Sequence, residues 1–395
     1  MIAWGLNIRC QQPIGLDIGH NSIKMIQLVI NDEQISVVAA DETRIDTSIN
    51  ADEQARRSFV ISAIKRMLAN GGFQGRNVIS CLPSNKLRIT SLRLSEAEKY
   101  GIEQALRKEV DHRFGLDPDK DSMDYMVAGS VRQGDEVKNE LILFATDNET
   151  IKSHIAMLEE AKLKPVAIDT IPCALFRSFE RSLRRQEDRD RITVFVDVGS
   201  YFTTVVFGRG GEISFIKQIP IGGQLFAREI AGKLGIDVGE AETLQEALRV
   251  DPGLFSLKSD LAEQVAAENQ NDIDKSTRQV MVDAVSAVAE DLAREISLCL
   301  RYYTVTFRGK RVERAVFAGG GAYEDILLNV LRRRLAVEIE VAQPLRGFDL
   351  SNGRINVNFD SDRRGLFCEW AVAVGLSLKG WKKVKNSRRL VRCES

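Results

Sequence analysis

Two stretches of this 395-residue chain place an aspartate near the end of an apolar run and a glycine two positions later. They are Asp17-Ile18-Gly19-His20-Asn21-Ser22-Ile23-Lys24 and Asp197-Val198-Gly199-Ser200-Tyr201-Phe202-Thr203-Thr204. A third apolar run, Ala315 to Ala318, leads straight into Gly319-Gly320-Gly321. Tight glycine turns can turn backbone N–H groups toward an anion, and the missing Cβ lets a phosphate come close. A carboxylate at a strand end can hold hydrated Mg²⁺ through water, which suits a cation that keeps most of its shell. Ser22 supplies a hydroxyl and Lys24 a point charge for β- and γ-phosphates, while Ser200, Thr203 and Thr204 can do similar work from the opposite side. The triple glycine would let an adenine ring lie flat on the backbone. Any one of these turns alone reads as a hairpin; the three in order read as a site for ATP and Mg²⁺. Neither GxxxxGK[ST] nor GxGxxG occurs, so a P-loop and a dinucleotide fingerprint are excluded.

The elements that would position these residues repeat. Strands are expected at Ile14–Ile18, Ile23–Ile30 and Ile35–Ala40, a helix over Glu53–Ala69 closed by Gly71-Gly72, and a buried strand at Val78–Leu82. The same grammar returns at Thr193–Val198, Thr203–Phe207 and Ile213–Ile219, an internal repeat of about 180 residues. Between the halves, residues 86–165 read as a small inserted α+β module. It has a strand at Leu87–Leu94, a helix with Ile102, Leu106, Val110 and Phe114 four apart, two strands at Tyr125–Val131 and Glu140–Ala145, and a helix at Thr150–Ala161. Arg181 to Arg191 is a charged linker. The second half continues as a helical region from Gln224 to about Arg308, whose last helix stripes Val285, Val288, Leu292, Ile296, Cys299 and Tyr303 along one face as core packing. A helix follows the triple glycine to Arg334, Asp349–Gly365 reads as a surface loop, and an apolar helix covers Leu366–Leu378.

The ordered set of motifs resembles the actin-like ATPases, alongside actin, MreB, FtsA and the heat-shock ATPase domain. Within that group it is most similar to the PilM family of type IV pilus assembly proteins. DIGHNSIK resembles that family's first phosphate loop, and VDVGSYFTTVVFGRGGEISFIKQIPIGG its second hairpin and turn; AVFAGGGAYEDILLNVL resembles its adenosine motif and EWAVAVGLSLKG its C-terminal helix. The resemblance spans roughly residues 13 to 380 and implies an α/β, actin-like (ribonuclease H-like) duplicated core with an inserted α+β subdomain. Its implied domains are 13–84 with 166–190 and 366–380 as the first core, 85–165 as the insertion, 191–224 with 309–348 as the second core, 225–308 as a helical subdomain, and 381–395 as a basic tail.

The resemblance also implies roles. Asp17, Gly19, Ser22 and Lys24 would hold phosphate; Asp197, Gly199 and Thr203 would hold phosphate, with Asp17 and Asp197 taking Mg²⁺ through water. Glu242 would meet the ribose and Gly319, Gly320 and Gly321 the adenosine. His20 and Asn21 stand where the family has small residues, Ser200 adds a hydroxyl, and Gln245 stands where a basic residue often pairs with the glutamate. Ile171 occupies the place of a water-orienting glutamate, which leaves no catalytic base and makes hydrolysis weak or absent. The implied function is a cytoplasmic ATP-binding scaffold of type IV pilus biogenesis. It would bind the cytoplasmic N-terminal peptide of a PilN-like inner-membrane protein and connect to the pilus motor ATPases, with a homo-oligomer left open. The alternatives are a sugar or acetate-type kinase of the same fold, which lacks a convincing catalytic aspartate here, and an FtsA-like division filament, for which the tail lacks an amphipathic anchor.

Composition is consistent with this. Net charge is -1, with 55 Lys+Arg against 56 Asp+Glu, which offers no basic face for nucleic acid. No run approaches a membrane span, and the N-terminus lacks the apolar core of a signal peptide. The six cysteines form no CxxC pair and read as reduced thiols of a cytosolic protein. His112 and His154 are expected to be solvated on charged helices, and no Ser-His-Asp or metal-ligand cluster stands out.

Overall fold

The repeat in the sequence becomes two sheets with one strand order. The computed structural model describes residues 10–31, 34–46, 48–49, 52–95, 101–133, 136–180, 191–250, 274–307, 311–356 and 367–380. In the first half, β1 (Cys10–Gln11), β2 (Ile14–Ile18), β3 (Ser22–Asn31) and β4 (Gln34–Arg44) form a meander, followed by α1 (Glu53–Asn70) and β5 (Asn77–Cys81). The inserted segment carries β6 (Arg88–Ser95), α2 (Ile102–Phe114), β7 (Ser122–Gln133) and β8 (Glu136–Thr146); α3 (Asn148–Glu160), β9 (Lys164–Asp169) and α4 (Ile171–Glu180) complete the half. The second half runs β10 (Ile192–Val198), β11 (Thr203–Arg209), β12 (Glu212–Ile219), α5 (Gly223–Leu234), α6 (Val238–Val250), α7 (Lys275–Phe307), β13 (Arg314–Ala318), α8 (Asp325–Arg334) and β14 (Glu338–Val341). Last come β15 (Arg354–Asn356) and α9 (Ala371–Leu378).

The first sheet contains the path β4-β3-β2-β5-β9 and the second the path β12-β11-β10-β13-β14. In each, three antiparallel strands are followed by two that run parallel to the first, so the duplication seen in the motifs extends to topology. The two halves are joined by α4 and α9. Every residue of α9 is buried, and its one polar side chain, Ser377, donates to Pro13 O at 2.8 Å. Glycines make its close packing feasible: a Cβ at Gly15 of β2 would lie 2.1 Å from Ala373 O, and one at Gly375 would lie 1.8 Å from Ala174 O of α4. On its other flank α4 buries Leu175, Phe176 and Phe179 among the residues of the second sheet.

Local capping explains the element ends. The Asp52 carboxylate accepts from the N–H groups of Gln54 at 2.8 Å and Ala55 at 3.1 Å, which starts α1, and Gly71 ends it. Four strands go beyond expectation, the first being β1, which pairs with β3. β9 contains Pro165 and lies at a sheet edge, where proline is tolerated. β14 and the short β15, inside the expected surface loop, depend on long-range pairing with β13 and β4. The striped helix α7 matches its expectation, with all six residues of the stripe buried.

The inserted module differs from its expected boundary. Its sheet, ordered β6-β8-β7, covers Leu92, Leu94, Leu141 and Leu143 with Leu106 and Val110 of α2. The opposite face sends Ile142 and Phe144 into the core of the second half. By contrast α3 buries Leu158 against α1 and the first sheet, so the helix assigned to the module packs with the first core. Helical periodicity identifies an apolar face but not the surface it covers. The linker at 181–190 and the basic tail at 381–395 lie outside the described residues. Among the described residues no helix is long and apolar enough to cross a membrane.

Candidate nucleotide site

Both Asp-x-Gly stretches fold into hairpins closed in the same way. Gly19 N–H donates to Ser22 O at 2.9 Å, and Gly199 N–H donates to Phe202 O at 3.0 Å. The glycine N–H groups therefore close the turns rather than face a ligand. Asp17 sits directly opposite Lys24 across β2 and β3, and Asp197 directly opposite Thr204 across β10 and β11. Directly opposite residues share a sheet face, so Thr204 shares the face of Asp197. The Thr203 hydroxyl is buried and donates instead to Ile221 O at 2.7 Å.

Each hairpin is braced from behind. The Arg56 guanidinium of α1 donates to Gly19 O at 2.7 Å and to His20 O at 3.3 Å. The first turn of α5 donates from Gly223 N–H to Gly199 O at 2.9 Å and from Gln224 N–H to Ser200 O at 2.8 Å. A Cβ at Gly222 would sit 2.6 Å from both of those carbonyl oxygens, which explains the glycine. At the tips, Asn21 is exposed, and the His20 ring meets the Tyr201 ring edge-on at 4.5 Å between centroids.

The floor is crowded with acids. Lys24 is 7% exposed, contacts Ser22 Oγ, and lies 3.4 Å from Glu42 Oε1, its cross-strand neighbour on β4. Burial pulls the Lys24 ammonium down, but Glu42, Glu369 and Asp17 outweigh it and leave its pKa raised. Burial pushes the Asp17 carboxyl up, and Lys24 only partly opposes this. Burial together with the nearby Asp17 pushes Asp197 up to about 7. Glu369 is likewise raised by burial, and it accepts from the Tyr323 hydroxyl. Carboxylates held this close resist ionising together, and bare phosphates would be repelled. A cation placed between the acids and the phosphates would relieve both problems, so the residues fit hydrated Mg²⁺. Among the described residues no group of three or more Asp, Glu, His or Cys side chains could hold a metal ion directly.

On the other side of the floor the three glycines differ in kind. Gly319 has φ +82° and no room for a Cβ, which would meet Asp197 Oδ1 at 2.5 Å; a Cβ at Gly321 would meet Val198 Cγ1 at 2.3 Å. Gly320 is exposed and faces open space. The first and last glycines are thus required by packing on the end of β10, and the middle one is available to a ligand. Glu242 accepts from the Gln224 amide. Gln245 is buried and donates to Glu324 Oε2 at 3.1 Å, so it turns to the segment after the glycines.

Ile171 opens α4 and packs beside Ile79, Cys81 and Leu376, with no acid in its own place. Asp169, two residues earlier, is ion-paired with Arg177 at 2.9 Å and Lys379 at 3.2 Å, which leaves it a structural tie. His154 corrects its expectation: it is buried, with Nε2 at 3.2 Å from Ser80 Oγ, while His112 is exposed. Arg56, Glu42, Glu369, Tyr323 and Tyr201 are the site residues that sequence reasoning missed. Hairpin register would have found Glu42 opposite Lys24, but nothing local marks Glu369.

Comparison with known proteins bears on family and fold. The family model described as type IV pilus assembly protein PilM matches residues 15–251 and 255–381. A PilM–PilN type IV pilus biogenesis complex contains a similar chain, with TM-score 0.71 and 20% identity over 93% of this chain and 98% of that one. The ethanolamine utilization protein EutJ from Carboxydothermus hydrogenoformans follows with TM-score 0.52 and 15% identity, over 93% of this chain and 89% of that one. A Bacteroides thetaiotaomicron protein with an actin-like ATPase fold and unknown function aligns at TM-score 0.40 and 11% identity, over 87% of this chain and 95% of that one. The chain has an α/β, actin-like fold, its strand order repeated in the two halves.

Proposed function

This chain belongs to the PilM family of type IV pilus assembly proteins, and from that premise we propose that it is an ATP-binding scaffold of pilus biogenesis. In this reading Mg²⁺-ATP lies between the two Asp-x-Gly hairpins. Lys24, Ser22 and Thr204 meet the phosphates, Asp17 and Asp197 take the cation through water, Glu242 reaches the ribose, and Gly320 leaves space for the adenine. The observation that carries it is the pairing of two equivalent braced hairpins, Asp17–Lys24 and Asp197–Thr204, over one acidic floor. Bound Mg²⁺ would supply charge neutralisation between these carboxylates and the phosphates. The reading assigns no general base, because Ile171 is apolar and Asp169 is held by two cations.

The similar chain belongs to a PilM–PilN complex, which supports a PilN-like inner-membrane protein as partner of this chain. Its cytoplasmic N-terminal peptide is the proposed ligand, and the pilus motor ATPases are the proposed further contacts. That arrangement would hold the chain at the inner face of the membrane through its partner. ATP binding to both halves would bias closure of the cleft and so alter the scaffold's shape.

Calorimetry tests the site. ATP with Mg²⁺ should bind the wild type, and Lys24→Ala and Asp17→Ala should each weaken binding by roughly 10- to 100-fold, as loss of a charged contact does. Chelating Mg²⁺ should weaken the wild type comparably. Equal affinity in all three proteins would reject the site.

A further inference from the structure

The two hairpins that would grip the phosphates touch each other. His20 projects from the tip of the first and Tyr201 from the tip of the second, with ring centroids 4.5 Å apart and planes at 76°. An edge-to-face contact of this kind is attractive in its own right. Tyr201 is 43% exposed, so its ring stands at the surface of the hairpin tip. The backbones beneath both rings are fixed, the first by Arg56 and the second by the start of α5. Side-chain rotation is therefore the easy motion, and backbone displacement the costly one. A second link between the halves, Arg44 to Glu246 at 3.4 Å, is exposed on both sides and weak by comparison.

We propose that His20 and Tyr201 form a gate across the phosphate end of the cleft, which must part before nucleotide enters or leaves and so sets the exchange rate. This rests on the nucleotide reading above. A gate differs from a binding contact in what it changes: opening it raises entry and exit together, whereas a lost contact raises exit alone. Because the two rings act on each other, removing either removes the device.

Stopped-flow with fluorescent N-methylanthraniloyl-ATP and Mg²⁺ measures both rates, the dissociation rate by chase with unlabelled ATP. His20→Ser and Tyr201→Ala should each raise association and dissociation by about 3- to 10-fold, the range an aromatic pair contributes. The double variant should be no faster than the faster single one, and Tyr201→Phe should keep wild-type rates because the ring remains. Melting temperatures confirm that each variant is folded. Unchanged rates, additive effects, or a rise in dissociation alone would overturn the gate. If calorimetry finds no nucleotide on the wild type, the nucleotide reading itself fails; if it binds and the variants match wild-type rates, only the gate fails.

Discussion

His154 lies on α3 with Ser80 as its partner, and burial lowers its pKa from 6.5 to about 4. The unfolded chain takes up this proton as pH falls through 6.5, while the folded chain resists until about 4. The folded state is thus fully favoured above pH 6.5, loses stability as pH falls through that window, and loses no more below it. The total comes to about 3 kcal/mol for a shift of this size. Chemical denaturation of wild type and His154→Gln at several pH values should show that part of the acid sensitivity absent from the variant. Parallel pH profiles would mean that the imidazole is not held neutral. The glycines teach a related lesson: the same residue serves packing at Gly319 and Gly321 and leaves open space at Gly320.

At the scale of elements, the inserted sheet is sandwiched between its own helix and the second half of the molecule. Leu141 and Leu143 face α2 while Ile142 and Phe144, alternating with them on β8, enter the other core. Arg93 on β6 reinforces this docking, pairing with Glu140 at 2.8 Å and donating to the Tyr302 hydroxyl of α7 at 3.0 Å. Cutting out residues 86–165 would also remove α3 and the first two residues of β9 from the first core, so deletion is a poor test of an interaction role. Phe144→Ala is the sharper probe of the docking. Urea unfolding should show a loss of about 3–5 kcal/mol, the usual cost of deleting a buried phenylalanine side chain. A loss below 1 kcal/mol would mean that the module is only loosely attached.

Across the whole molecule, α4 and α9 pack between the two sheets, and Gly319 N–H donates to Cys368 O at 3.1 Å, so the triple-glycine segment of one half is tied to the closing segment of the other. In the proposed reading, closure would be a motion of the halves about this spine and could signal without hydrolysis. We expect phosphate release by the purified protein to be slow, well below the 1 per second typical of competent phosphoryl-transfer enzymes. Ile171→Glu should raise it if the remaining geometry is intact, with some loss of stability because Ile171 packs in an apolar cluster. Brisk release by the wild type would show that another residue orients the attacking water.

The sequence by itself determined the two hairpins, the repeated three-strand grammar and the striped face of α7. Those features depend on local requirements: glycine where a Cβ has no room, apolar residues at fixed periods, and turn residues between strands. Tertiary structure decided the rest. That Glu369 acts on Lys24, that His154 is buried, that α3 belongs to the first core, and that His20 reaches Tyr201 all depend on contacts between distant parts of the chain. A residue's type limits what it can bond, but only the packing of whole elements selects the partner, and Lys24 and Glu369 are brought together by the return of the chain to the first sheet just ahead of α9.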